Sequence, residues 1–258
     1  MTDTLSTQRK KATLPPDAVL DELIHDPSPE ILTAVAADAR LSEDLALALL
    51  NRRDLPREAL EELSRNGTVA KMRKVRLAVV MHPQTPRHVS VPTIRHLYVF
   101  ELMQIALLPT VVADVKRTAE DVLINKLATI SAGERFTLAK RSSGRVAGAM
   151  LTDKEDRIVQ AALMNPQMTE ALIVRALKQD AGTELLAPAV SRHQKWFHRN
   201  EIKAALLGNK NTPFARVVQI AADLPLQALR DVLTHGRIAP NVKVYLSGMM
   251  NKRTGRSS

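Results

Sequence analysis

The chain has 258 residues, is 45% hydrophobic but only 3% aromatic, and carries a formal net charge of +10. It is long enough to bury a large core, as one array or as two domains. It holds no cysteine, which excludes disulfides and thiolate metal sites, and its wealth of Leu and Ala favours close-packed helices over a sheet.

Residues 1–13 read as a disordered basic tail, with Arg9, Lys10 and Lys11 against Asp3. Met1 to Lys11 lacks the apolar core of a signal peptide, and no run of about 18 apolar residues follows, so a soluble cytoplasmic protein is the expectation. A short helix is predicted after Pro15-Pro16, with Val19, Leu20, Leu23 and Ile24 on one face. Asp26-Pro27-Ser28-Pro29-Glu30 opens the next helix, since proline and acidic residues suit a first turn. Ser42 caps a helix from Glu43 to Asn51, and Pro56 starts another that stops at Asn66-Gly67. Lys71 to Met81 is helical up to the turn His82-Pro83-Gln84-Thr85-Pro86. Pro92 predicts a kink or break. Leu102 to Leu108 resumes the pattern, and Val111 to Leu127 is the longest run.

Ser131-Ala132-Gly133-Glu134 and Thr152-Asp153-Lys154-Glu155 both read as capping boxes, with a turn at Ser142-Ser143-Gly144 between them. Further helices are expected from Thr169 to Leu177, from Leu185 to His193, from Phe214 to Asp223 after Thr212-Pro213, and from Pro225 to a stop at His235-Gly236. Gly182 marks a break. Pro240 opens the last helix, and 251–258 reads as a second disordered basic tail.

One phrase recurs. Ile158-Val159-Gln160-Ala161, running to Asn165-Pro166, reappears as Val75-Arg76-Leu77-Ala78 and as Ile202-Lys203-Ala204-Ala205. Looser copies begin at Ile31, Val115 and Val242. The steps are 44, 40, 43, 44 and 40 residues, the mark of a repeat architecture. Units of about 42 residues with two or three short helices cannot bury their own apolar faces and must stack. The expected fold is all-α: a single helical-repeat domain over 14–250, with an acidic cap (14–64) and a basic body (65–250).

Asp114-Val115-Lys116, Asp156-Arg157-Ile158-Val159 and Asp26-Pro27-Ser28-Pro29-Glu30-Ile31 resemble the start of the second helix in HEAT-like repeats. The turn phrase Asn165-Pro166-Gln167-Met168-Thr169, with its cousins at His82 and Asn209, is similar to that of the bacterial leucine-rich repeat variant proteins. The resemblance implies a right-handed α-α superhelix of about five to six repeats over residues 20–250. It leaves function open, because such arrays include scaffolds, carriers, lyases acting on bilin proteins and DNA alkylpurine glycosylases. Thr118 and Val159 depart from the pattern, which interrupts a row of cations at Arg76, Lys116, Lys203 and Lys243.

The charge is uneven. Residues 14–64 hold 12 acidic residues against four arginines, leaving +16 for 65–258. Between Arg65 and Phe100 there are seven Lys/Arg, three His and no acid. Arg73, Lys74 and Arg76 form the densest basic patch, and Arg192, Lys195, Arg199 and Lys203 form a second around Trp196. Aligned cations bind phosphates in one reading and pair with Asp114, Asp156 and Glu201 in the other. Trp196 is either a stacking platform for bases or a plug between helices.

Metal and catalytic chemistry find little support. His193 and His198 are five residues apart, where one helical face needs four. Asp153, Glu155 and Asp156 suit a helix N-terminus, and no nucleophile elbow, phosphate loop or zinc spacing is present. No enzyme activity, cofactor or metal is expected. The reading is a non-catalytic scaffold whose cations and turns bind an acidic protein or peptide: Arg73, Lys74, Arg76, Lys116, Arg192, Lys195, Trp196, Arg199, Lys203 and Lys243. Nucleic-acid binding through phosphates is the alternative, with a HEAT-type glycosylase behind it. Self-association of acidic cap with basic body is a further option.

Overall fold

Helix starts are set by prolines and short polar side chains. Pro29 and Pro240 lie in first helical turns, and Pro56, Pro86 and Pro213 stand immediately before helices, where no N–H is needed. Ser42, Ser131 and Ser143 accept the backbone N–H groups of Leu45, Glu134 and Val146, satisfying donors that a helix leaves unpaired in its first turn.

The computed structural model describes residues 14, 19–179, 184–235 and 238–255. Among these are eighteen α-helices, one 3-10 turn and no strand. The described residues are all-α, as expected. No helix among the described residues is long and apolar enough to cross a membrane. The expected tail 1–13 and the expected breaks at Gly182 and Gly236 lie outside the described residues.

The chain forms two compact units, residues 1–123 and 124–258. In the first, α1 (Leu20–Leu23), α2 (Pro29–Ala37), α3 (Glu43–Leu50), α4 (Arg57–Arg65), α5 (Arg73–Met81), α6 (Arg87–Ile94) and α7 (Val99–Leu107) precede α8 (Ala113–Lys126), which contains the boundary. Helix α2 packs on α4, α3 on α5 and α5 on α7. Leu32, Val35, Leu49, Leu60, Leu63 and Val75 form the core, each fully buried aliphatic side chain contributing about 1.5–3 kcal/mol. Leu20 and Ile24 join it, but Val19 is exposed. Pro92 lies inside α6, which stops two residues later.

The second unit holds α9 (Ala132–Arg141), α10 (Gly144–Ala149), the 3-10 turn Met150–Thr152, α11 (Asp156–Leu163), α12 (Glu170–Lys178), α13 (Leu186–Arg192), α14 (Gln194–Phe197), α15 (Asn200–Leu207), α16 (Phe214–Asp223), α17 (Leu226–His235) and α18 (Pro240–Arg253). Here α9 packs on α11 and α11 on α13, while α10 packs on α12, α12 on α15 and α15 on α17. Helix α18 packs on α16 and runs through 251–253, residues expected to fray. Two glycines let α10 close on its neighbours: a Cβ on Gly144 would lie 2.2 Å from the Gln167 carbonyl oxygen, and one on Gly148 would lie 3.3 Å from Leu172.

The packing step changes the meaning of the repeated phrase. The phrase leads α2, α5, α8, α11, α15 and α18, so each step of 40–44 residues spans three helices if single-turn α14 is left out. Beside contacts between sequential helices, packing joins α2 to α4, α3 through α5 to α7, α9 through α11 to α13, and α12 through α15 to α17. Consequently α2 belongs to one row and α5 to another, and α11 and α15 are likewise in different rows. In the second unit α15 packs on α17 and α18 on α16, so Lys203 and Lys243 start helices of different rows and the predicted alignment does not join these two. Val159, which replaces a cation, is fully buried because α11 is covered by both α9 and α13.

The turn residues bind these rows together. The last carbonyls of a helix have no partner within it, and the chain supplies one from about two helices later. Asn66 Nδ2 donates to Ala36 O and Asp38 O at 3.0 and 2.9 Å, and its Oδ1 accepts from Thr68 N. Asn165 repeats this on Ala139 O and Ser142 O, at 2.9 and 3.0 Å, and accepts from Gln167 N at 2.7 Å. Asn209 reaches Leu177 O at 2.7 Å and accepts from Asn211 N. His82 does the same work with a ring: Nε2 donates to Arg52 O at 2.8 Å and Nδ1 accepts from Gln84 N, which together require the Nε2–H tautomer. Arg52 and Arg253 serve as longer clamps, on Ile24 O and Asp26 O and on Ala221 O and Leu224 O.

Candidate binding surface

Most of the cations singled out in the sequence already hold a partner. On α5, Arg73 pairs with the buried carboxylate of Glu101, and its guanidinium lies 4.7 Å from the centre of the exposed Tyr98 ring. Glu101 also accepts the Tyr98 backbone N–H at 2.8 Å, so one carboxylate caps α7 and fixes Arg73. The pairing holds the Arg73 guanidinium above its usual pKa, chiefly through the hydrogen bond it donates to Glu101. Arg76 is half-buried, with Nε donating to Ala70 O at 3.0 Å. Lys74 is exposed. Lys116 reaches Pro109 O at 3.5 Å. Arg87 and Asp114 approach to 3.5 Å, so Asp114 does pair with a cation, from α6.

In the second unit, Trp196 is only 3% exposed and its Nε1 donates to Leu163 O at 2.9 Å. It plugs the end of α11 and offers no open face for stacking. Lys195 is exposed and lies 4.2 Å from the Trp196 ring centre. Lys203 is buried, 3.0 Å from Asp223, and lies over Phe197 together with Arg216. Glu201, one of the acids expected to pair with the cations, is exposed. Arg199 approaches Glu170 at 3.6 Å, Arg192 donates to Pro188 O at 3.2 Å, and Lys243 is exposed. His193 is half-buried beside Trp196; burial first, then the charge of Lys195, lowers its pKa.

The predicted capping box at Thr152 does not form. Thr152 ends the 3-10 turn, and α11 starts at Asp156 without a side-chain cap. Asp153 and Glu155 instead embrace Arg135 of α9, at 2.8 and 2.9 Å, and Arg135 also reaches Ile130 O. Two of the three clustered acids therefore anchor a half-buried arginine, a role that local spacing could not show. Among the described residues no group of three His, Asp or Glu side chains is placed to hold a metal ion.

Two concave regions lie within single units. One, of about 240 Å³, is lined by Leu63, Ser64, Ala70, Val75, Arg76, Val79, Pro92, Thr93 and His96. The other is an open groove of about 830 Å³ along α12, where Arg175 and Lys178 face Glu170 and Glu201. Exposed apolar side chains gather elsewhere: Phe214 and Val218 on α16 lie beside α18, whose Tyr245 meets Phe214 edge-on at 5.5 Å.

With this geometry in view, the chain was compared with family models, curated proteins and solved structures. None matches.

Proposed function

We propose that the chain is a non-catalytic, HEAT-like helical-repeat scaffold, a right-handed superhelix built from helix pairs, that binds an acidic segment of a protein or peptide. Packing of α2 on α4, α3 on α5 and α5 on α7, and of α9 on α11 and α10 on α12 in the second unit, supports the stacked-repeat reading. The observation that carries the choice of partner is the engagement of the cations. Arg73, Arg87, Arg199 and Lys203 each face a carboxylate, and Trp196 is buried. What remains is a groove of mixed charge along α12 and, apart from it, exposed aromatic and aliphatic side chains on α16. That composition suits a polypeptide better than a phosphate backbone, which asks for a row of free cations and open rings.

The test is fluorescence anisotropy with labelled acidic peptides and with random single- and double-stranded DNA and RNA, at about 50 and 200 mM salt. The scaffold reading expects peptide binding that survives the higher salt and nucleic-acid binding that is weak at both. A steep log–log salt slope with nucleic acid, lost on Arg73→Glu with Lys74→Glu, would replace it with the phosphate reading. Dependence of the hydrodynamic radius on concentration at low salt would reveal self-association.

A further inference from the structure

The cavity of about 240 Å³ between the end of α4, the middle of α5 and the end of α6 has a composition unlike the rest of the basic surface. Its walls are Leu63, Ala70, Val75, Val79 and Pro92, and its polar groups are Arg76, His96, Ser64 and Thr93. Both hydroxyls are occupied: Ser64 Oγ donates to Glu61 O and Thr93 Oγ1 to Val89 O, each at 2.7 Å. No carboxylate lines it. Arg76 is held through one end only. Its Nε is fixed on Ala70 O, itself part of the wall, and neither Nη atom has a partner among the described residues. A guanidinium anchored through Nε keeps its two Nη groups as a fork suited to one planar oxyanion. The apolar walls ask for a ligand with a short hydrocarbon stem behind that oxyanion.

We propose that this cavity is the anchor subsite for a single glutamate-like side chain of the partner: two methylenes against Val75, Val79 and Leu63, and the carboxylate on the Nη groups of Arg76 with His96 at the mouth. The assignment rests on the acidic-peptide reading and specifies where one acid would seat. Its size decides the stem. At about 240 Å³ the space is below the range of about 300–1,000 Å³ usual for whole small-molecule sites, and it fits one side chain.

The experiment is an amide ¹H–¹⁵N NMR titration of the full chain with N-acetyl-glutamate methylamide, with the glutamine analogue and inorganic phosphate in parallel. Saturable shifts are expected at Ser64, Ala70, Arg76, Thr93 and His96 with the glutamate compound only. Arg76→Gln should weaken them roughly 10- to 100-fold, as loss of a charge-assisted pair does. Should that variant fail to fold, His96→Ala at the exposed mouth, expected to weaken binding several-fold, and the glutamine comparison decide the matter. Equal shifts with the glutamine analogue, shifts scattered over all exposed lysines and arginines, or saturation by phosphate alone would each overturn the assignment. A peptide that binds in the anisotropy titration yet leaves these amides unmoved would also overturn it while keeping the scaffold reading. Absence of all peptide binding would remove that reading itself.

Discussion

Asn165 is 2% exposed and joins three backbone groups that would otherwise be unpaired: the carbonyls of Ala139 and Ser142, at the end of α9, and the N–H of Gln167. Asn165→Ala removes all three bonds. An unsatisfied buried polar group costs about 1–3 kcal/mol, and the N–H of exposed Gln167 regains water, so the expected loss is about 3 kcal/mol. Asn165→Asp keeps an acceptor for Gln167 but turns a carboxylate toward two carbonyl oxygens. It should cost more than alanine, on the order of 4 kcal/mol. Asn165→His has a precedent in His82, which spans one carbonyl and one N–H, and should cost about half as much as alanine, ~1.5 kcal/mol. Urea unfolding followed by circular dichroism at neutral pH reads all three. An order other than Asp worst, Ala intermediate and His mildest would refute the clamp as the reason for the residue. So would an alanine variant within about 0.5 kcal/mol of the parent, the range of an ordinary surface substitution.

Gly144→Ala should destabilise by about 2 kcal/mol or more, because its Cβ meets the Gln167 carbonyl at 2.2 Å and backbone must move. Gly133→Ala, with open space around it inside α9, should stabilise by up to about 1 kcal/mol; thermal melts of the pair check both signs. Ser131→Ala should cost about 1 kcal/mol through loss of the cap. The Ser131 hydroxyl first, then its backbone N–H, lowers the Glu134 pKa below 4.5, so Glu134's contribution is complete above that value and fades as pH falls through the lower folded value. The stability gap between parent and Ser131→Ala should therefore narrow in acid, which urea titrations on either side of that range will show.

The parts of the fold that were legible were those decided by neighbours in sequence. Ser131 and Glu134 form the box their spacing predicts, and Pro29 and Pro240 start helices where expected. Asn165, His82 and Asn209 are equivalent stops in sequence and in the fold. Their reach to a turn 23–32 residues back depends on which helices touch, and no local spacing contains that. Thr152 and Glu155 have the spacing of a box, yet Arg135 competes for the acid and wins with a bond from another helix. Lys203 and Lys243 are separated for a different reason. A period counted in residues shows that a phrase returns, but packing decides which side it returns on, and three helices is an odd step. Trp196 and Lys203 look alike in sequence to exposed neighbours such as Lys195; only the covering helices distinguish them.

The clamps also give the chain a direction in time. Carbonyls at the end of α2 wait for Asn66, those at the end of α9 for Asn165, and those at the end of α16 for Arg253, each later in the chain by 23–32 residues. During synthesis, a helix end leaving the ribosome stays hydrated until the residue that closes it has also emerged. Assembly in the order of translation therefore matches the order in which partners become available, and a circular permutant cut between a helix end and its clamp would reverse that order at one joint while keeping every contact of the finished fold.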